Sequence, residues 1–534
     1  MYIGFGVLLR LVFLSLFNIK MRYLNTGISI LIHSWVLCLV GCLGVGCAHI
    51  SSTPQQNNIL TGLNKVQHIV VIYAENRSFD NLYGEFPNAK GVKYASSESK
   101  EQLDTNGQVL PNLPPVWLEK NKSSKPDQPD ISYPSLMINQ PFKLNDLGEG
   151  HQLSDKTRDL VHRFYQNQEQ INNGNNNRFA SVSDGGGLAM GYYDGSSLPM
   201  WKFAQKYTLA DNFFMGAFGG SFLNHMYLIC ACIPEFKNAP DSMRIKLDDM
   251  GHLLRAENSP SSALLGAPRY VADNAVTPDG YAVNTTQPSY QPSGILPESI
   301  EKAAFADSRK NPLPPQTNRT IGDALTEKKI SWKWYAGGWD AAKIDGMQAP
   351  EATRKVIYSN QEGSLKFQAH HQPFNYFKNF APGTQERVTH LFDGSTLIQD
   401  VEKGILPAVS FYKPAGANNE HPGYTDILSG DQHIANVIEK IQASTQWNST
   451  VIIVTYDENG GFWDHVSPPK GDRWGPGTRI PAIIISPFAK RNYIDHTVYD
   501  TGSIIKFITR RFDLQSIDGV RPFVGDLTNA LDLN

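Results

Sequence analysis

Three short runs of this sequence combine residue types that do chemistry. In Glu75-Asn76-Arg77-Ser78-Phe79-Asp80, an acid and an amide stand side by side directly after the apolar run Val66 to Tyr73. Together they offer two oxygen donors at one place, which suits a divalent cation. In Asp457-Glu458-Asn459-Gly460-Gly461-Phe462-Trp463-Asp464-His465, two adjacent carboxylates follow the run Thr450 to Tyr456. Such an arrangement is costly unless something cationic neutralises it. Gly460-Gly461 would let the backbone turn sharply beside a ligand, and His465 could orient a carboxylate or bind the ion. In Gly219-Gly220-Ser221-Phe222-Leu223-Asn224-His225, small residues precede a serine. They permit a tight turn that exposes its hydroxyl, and a following helix would direct N–H groups at an anion. That hydroxyl is a weak nucleophile until a base or a metal activates it. The esterase elbow G-x-S-x-G is absent, because Leu223 stands where its last glycine should be. His151, after Gly148-Glu149-Gly150, and His421, within Asn418 to Tyr424, could donate to a phosphoryl oxygen or protonate a leaving group. His68, His370, His371 and His433 read as ordinary surface residues.

Positioning these groups requires a scaffold, and its outline shows in the apolar runs. Val66 to Tyr73, Ile330 to Tyr335, Pro407 to Tyr412, Thr450 to Tyr456 and Pro481 to Ser486 are short, continuous and rich in β-branched residues. Runs of that kind suit a sheet buried on both faces. Helical patterns lie between them at Leu198 to Lys206, Thr320 to Lys328, Ile434 to Ser444 and Thr501 to Phe512. The alternation predicts an α/β fold with a mostly parallel central sheet flanked by helices. Ligands in such sheets sit beyond the carboxyl ends of the strands, where Glu75 and Asp457 fall. Two polar, proline-containing stretches near 94–141 and 235–315 read as loop-rich insertions forming a lid.

The chain of 534 residues is 41% hydrophobic and 19% charged, with a net charge of −3. This balance is ample for a large core and speaks against nucleic acid as a partner. Residues 1–48 read as an export signal, after which 49–534 form one domain. Met21-Arg22 followed by the apolar run Ile28 to Val45 supplies the charged and apolar regions of a secretory signal. Leu39-Val40-Gly41-Cys42 resembles a lipobox, so Cys42 could be acylated and attach the chain to a membrane; cleavage after Ala48 would release it instead. The destination is then periplasmic, an outer-membrane lipoprotein or secreted. Cys230 and Cys232 are the two cysteines of the body. Two residues apart in an apolar stretch, they read as buried thiols and not as a bridge.

Taken in order, the stretches HIVVIYAENRSFDNLYG, MGYYDGSSLPMWKFAQKYTLADNFFMGAFGGSFLNH, NEHPGYTDI, TYDENGGFWDHVSPP and GTRIPAIIISPFAK resemble the phosphoesterase family of bacterial acid phosphatases and phosphatidylcholine-hydrolysing phospholipases C. The resemblance spans roughly residues 66 to 510. It implies an alkaline-phosphatase-like fold and one divalent ion (Ca, Mg or Zn) held by Glu75, Asn76, Asp457 and Glu458. It also implies attack on phosphorus by Ser221 through a phosphoserine intermediate, with His151 and His421 at the phosphoryl oxygens or leaving group. His162 is the alternative to His151. Family phospholipases typically carry threonine followed by Pro-Asn at the nucleophile. Ser221 with Phe222-Leu223-Asn224-His225 is closer to the acid-phosphatase branch, so hydrolysis of phosphate monoesters is expected. The alternatives are phospholipase C activity on phospholipids, an inactive surface-binding lipoprotein, or a serine esterase.

Overall fold

The structure is a computed structural model that describes residues 62–118 and 127–533. The expected export segment and Cys42 lie outside the described residues. Among the described residues no helix is long and apolar enough to cross a membrane.

Eight strands form the central sheet. In chain order they are β1 (His68–Ala74), β2 (Thr208–Ala210), β3 (Trp332–Ala336), β4 (Leu391–Asp393), β5 (Val409–Lys413), β6 (Thr450–Tyr456), β7 (Ala482–Ile485) and β8 (Tyr493–Asp495). Their spatial order is β8-β2-β7-β6-β1-β5-β3-β4. β1 lies parallel between β5 and β6, β3 continues in parallel to β5 and β4, and β7 alone runs antiparallel to its neighbours. All seven residues of β6 and all five of β5 are buried. Each fully buried Val or Ile there contributes about 1.5–3 kcal/mol relative to exposure, which selects the β-branched runs and fixes their register. The α/β class and the mostly parallel sheet follow the sequence pattern, and the reversed direction of β7 is the departure from it.

Helices cover the sheet. The longest of the described helices, Ile427–Ala443, starts at an Asp426 side chain that accepts from Ser429 N–H, and its buried Ile434, Val437, Ile438 and Ile441 recur at helical spacing. Ser221–Cys230 is buried on every side, as an apolar helix close to the sheet must be. It ends at Ala231 in the left-handed conformation (φ 46°). That reversal brings Cys230 and Cys232 to a Cα separation of 5.0 Å, and the two form a disulfide. The expectation of buried thiols is therefore corrected: a regular helix would turn the two side chains to opposite faces and a strand would space their Cα atoms about 6.6 Å apart, and the left-handed residue between them does neither. The stretch 235–315 contains only single 3-10 turns and isolated bridges. Its Val283 and Asn284 reach the cavity described next.

Candidate active site

Register alone brings the first two motifs together. Tyr73 and Ala74 pair with Thr455 and Tyr456, so Glu75-Asn76 and Asp457-Glu458 leave adjacent strands at the same end. The loops that follow are tied to each other by buried charges. Arg479 Nη2 lies 3.0 Å from Asp80 Oδ1 and its Nε 3.0 Å from Asp464 Oδ1. His465 Nδ1 meets Asp80 Oδ2 at 2.6 Å. His465 thus fastens one loop to the other instead of meeting the carboxylates of the site. Gly460 adopts φ +61°, and a Cβ there would stand 2.4 Å from the Asn76 carbonyl oxygen. A side chain at that position would part the two loops.

Ser221 opens its helix with its hydroxyl directed at this junction, 3.2 Å from Asn76 Oδ1 and 3.3 Å from Glu458 Oε1. The glycines before it are there for space: a Cβ on Gly219 would lie 2.5 Å from Phe164 N and one on Gly220 2.6 Å from the His162 carbonyl oxygen. These contacts also place His162 in the site. Its Nε2 lies 3.6 Å from Glu458 Oε1, and its ring stands 5.9 Å from that of His421. Both histidines donate Nδ1–H to a backbone carbonyl, of Leu160 and Pro422 respectively, which leaves each Nε2 free to take a proton. Burial lowers the basicity of both rings, so they stand as neutral imidazoles at neutral pH.

His151 is placed elsewhere. Its Nε2 bonds to the Ser132 carbonyl at 2.9 Å and its ring packs 4.4 Å from that of Tyr133. Of the two histidines, His162 is the one packed against Gly220 and Glu458, because only packing distinguishes two histidines in adjoining irregular chain. A His162→Ala variant is expected to lose about 10²-fold in kcat, the scale of a lost acid–base group, and His151→Ala to stay within about twofold. Steady-state kinetics of the two side by side check this.

The site contains more than the sequence reading found. Glu75 is buried, with Oε1 2.8 Å from Lys413 Nζ and 2.9 Å from His371 Nε2, and Oε2 accepting from Asn419. Burial by itself would raise the Glu75 carboxyl, but His371 and Lys413 outweigh it and hold it well below the usual carboxylate range. Asp457 has no lysine or arginine at contact distance, and its nearest imidazole, His225, stands 3.6 Å away. Burial first, and then the Glu75 charge against a partly opposing Lys413, push it up to about 8. Burial and the adjacent Asp457 likewise raise Glu458. His225 donates Nδ1–H to the Ser221 carbonyl at 2.8 Å and lies 3.6 Å from Asp457 Oδ2. Asp457 Oδ2 and His225 Nε2 are buried without a hydrogen-bond partner. His370 and His371, read from sequence as surface residues, are both buried beside Glu75. Their signal was weak: they sit in a 3-10 turn with no strand end before them.

A divalent cation fits this donor set. Glu75, His225 and Asp457 bring ligand atoms within 4.8 Å of one another, and the unpartnered Asp457 oxygen, with raised carboxyls on both Asp457 and Glu458, marks uncompensated negative charge. The groups able to hold the ion are Asp457, Glu458, Asn76 and Ser221; Glu75, expected among the ligands, adjoins them with its oxygens against Lys413, His371 and Asn419. Above them opens a cavity of about 390 Å³ whose lining includes Ser221, His162, His370, His421, Tyr358 and Tyr424.

A model described as the phosphoesterase family matches residues 66–515. The chain is 24% identical over 519 residues to the non-hemolytic phospholipase C of Burkholderia pseudomallei, covering 88% of this chain and 60% of that protein. It therefore spans somewhat under two thirds of that relative. It is 22% identical over 507 residues to phospholipase C A of Mycobacterium tuberculosis, covering 88% of this chain and 78% of that one. Among solved structures, a protein of the alkaline phosphatase superfamily from Vibrio parahaemolyticus aligns over 70% of this chain and 72% of its own, at 9% identity and a TM-score of 0.31.

Proposed function

The chain belongs to the phosphoesterase family, and from that premise we propose that it is a metal-dependent phospholipase C, hydrolysing phospholipid phosphodiesters with Ser221 as the nucleophile. One observation carries the reading: the Ser221 hydroxyl, on the cavity wall, lies within 3.3 Å of both Asn76 and Glu458. The expectation of a phosphate monoesterase gives way here, because the relatives that match over 88% of the chain are phospholipases C.

The charge of the cavity supports a diester as well. A monoester dianion calls for free cationic donors. Arg158 and Arg163, which line the cavity, are already engaged by Asp184 and Asp273, and the histidines are neutral. A diester carries a single charge, and Phe222, Tyr358 and Tyr424 offer apolar faces to its second substituent.

The chemistry divides among the residues as follows. A bound divalent cation supplies a lowered pKa for a serine hydroxyl and neutralises charge on the phosphoryl group. Asn76 and Glu458 orient the Ser221 Oγ, which attacks phosphorus and becomes phosphorylated. The free Nε2 of His162 or His421 takes the proton that Ser221 Oγ loses as it attacks and hands it to the departing alcohol, then takes one from the attacking water and returns it to Ser221 Oγ as the phosphoryl group leaves. Helix Ser221–Cys230, starting at the nucleophile, directs its N-terminal dipole toward the phosphoryl group.

The proposal also places the chain outside the cytoplasm. The signal-like run before residue 48 supports this, as does the Cys230–Cys232 disulfide, which suits an oxidising compartment. The deciding measurement is kcat/KM on phosphatidylcholine vesicles against p-nitrophenyl phosphate. The diester is expected to lead by about tenfold or more, a modest difference in transition-state binding. The opposite order would restore the monoesterase.

A further inference from the structure

Lys413 is the last residue of β5 and is fully buried. A lysine in that position must have a partner. Its Nζ sits 2.8 Å from Glu75 Oε1, 5.6 Å from the centre of the Tyr73 ring, and makes no other ion pair among the described residues. The parallel register explains its placement: Ile72 pairs with Tyr412, so Lys413 emerges level with the end of β1 and meets the first acid beyond it.

Glu75, Asp457 and Glu458 are three fully buried carboxylates at this junction. Arg479, Asp80, Asp464 and His465 satisfy one another in a separate network. Among the described residues, Lys413 is the one lysine or arginine in ion-pair contact with any of the three acids, and it takes Glu75.

A second feature sits at the same corner. Glu75, His370 and His371 bring their ligand atoms within 4.8 Å of one another. Both ring nitrogens of His370 and of His371 are buried without a hydrogen-bond partner; each ring has its Nε2 toward Glu75 Oε1, at 4.0 Å from His370 and 2.9 Å from His371. Two imidazoles and a carboxylate are a donor set for zinc. The ammonium beside Glu75 opposes a dication there.

We propose that Lys413 stands in for a second metal ion: its fixed charge closes the Glu75–His370–His371 corner to a dication and makes this a site for one ion. This rests on the reading of Asp457, Glu458 and Asn76 as holders of that ion.

The test is metal stoichiometry, read independently of activity. Chelator-stripped full-length protein is equilibrated with Zn²⁺, desalted and analysed for metal. The wild type is expected to retain one ion per chain and Lys413→Met two. Adding His370→Ala and His371→Ala to Lys413→Met is expected to return the count to one. A folded Lys413→Met chain that still binds one ion overturns the proposal, as does a wild type that binds two. Should Lys413→Met fail to fold, Lys413→Gln, which keeps a polar end of similar length without the charge, is carried through the same count with the same expectation of two ions. A wild type that binds none removes the metal reading and this proposal with it, an outcome separable from the others.

Discussion

Replacing Ser221 by alanine is expected to lower kcat by about 10³-fold or more while leaving folding, metal content and KM close to those of the wild type. The magnitude follows from phosphoryl transfer, in which positioning and electrostatics leave little catalysis once the attacking oxygen is gone. Ser221 is 6% exposed and its Oγ bonds only to site groups, so alanine removes a polar atom without opening a cavity. Its helix is held by the apolar packing of Phe222 to Cys230. Rapid-quench labelling with a phosphorus-labelled substrate gives the sharper readout. A phosphorylated protein should accumulate in the wild type and be absent from Ser221→Ala. A variant that keeps near-normal turnover would remove Ser221 as nucleophile whatever its effect on stability.

The second large effect separates activity from stability. Asp457→Asn is expected to reduce kcat/KM by about 10²–10³-fold and weaken metal binding by at least about tenfold, since a neutral amide replaces an anionic donor. In the metal-free protein the same change should raise stability by about 1–3 kcal/mol. Asp457 is fully buried, its Oδ2 has no hydrogen-bond partner, and burial with the Glu75 charge pushes its carboxyl up to about 8. Removing a poorly compensated buried charge stabilises a fold as often as not. Thermal denaturation with and without chelator, run beside the kinetics, checks both halves. A metal-free variant that melts below the metal-free wild type would show that Asp457 is already compensated without an ion.

The sheet was legible because its strands are buried on both faces and must be apolar throughout. The runs ending at Tyr73, Tyr412 and Tyr456 each carry a strand and stop at polar residues that enter the site. The acids were legible for the same reason, since paired oxygens at the end of an apolar run are costly without a purpose. What escaped was set by contacts between distant segments. Lys413 lies one residue beyond the apolar run and looks like an ordinary polar end until β1 places Glu75 against it. His370 and His371 belong to irregular chain, where periodicity carries no information. The exchange of His151 for His162 depends on which loop packs over Gly219 and Gly220. The disulfide needed one left-handed residue, Ala231, which nothing in its side chain announces.

The pairing of β1 with β6 joins residues 68–74 to residues 450–456. Contacts of such sequence separation form slowly, because chain closure must be met before they repay it. Turnover in a refolding experiment is then a late clock: helices can recover their circular dichroism while the enzyme stays silent. Any fragment lacking either of these two strands should be catalytically dead, however well it folds.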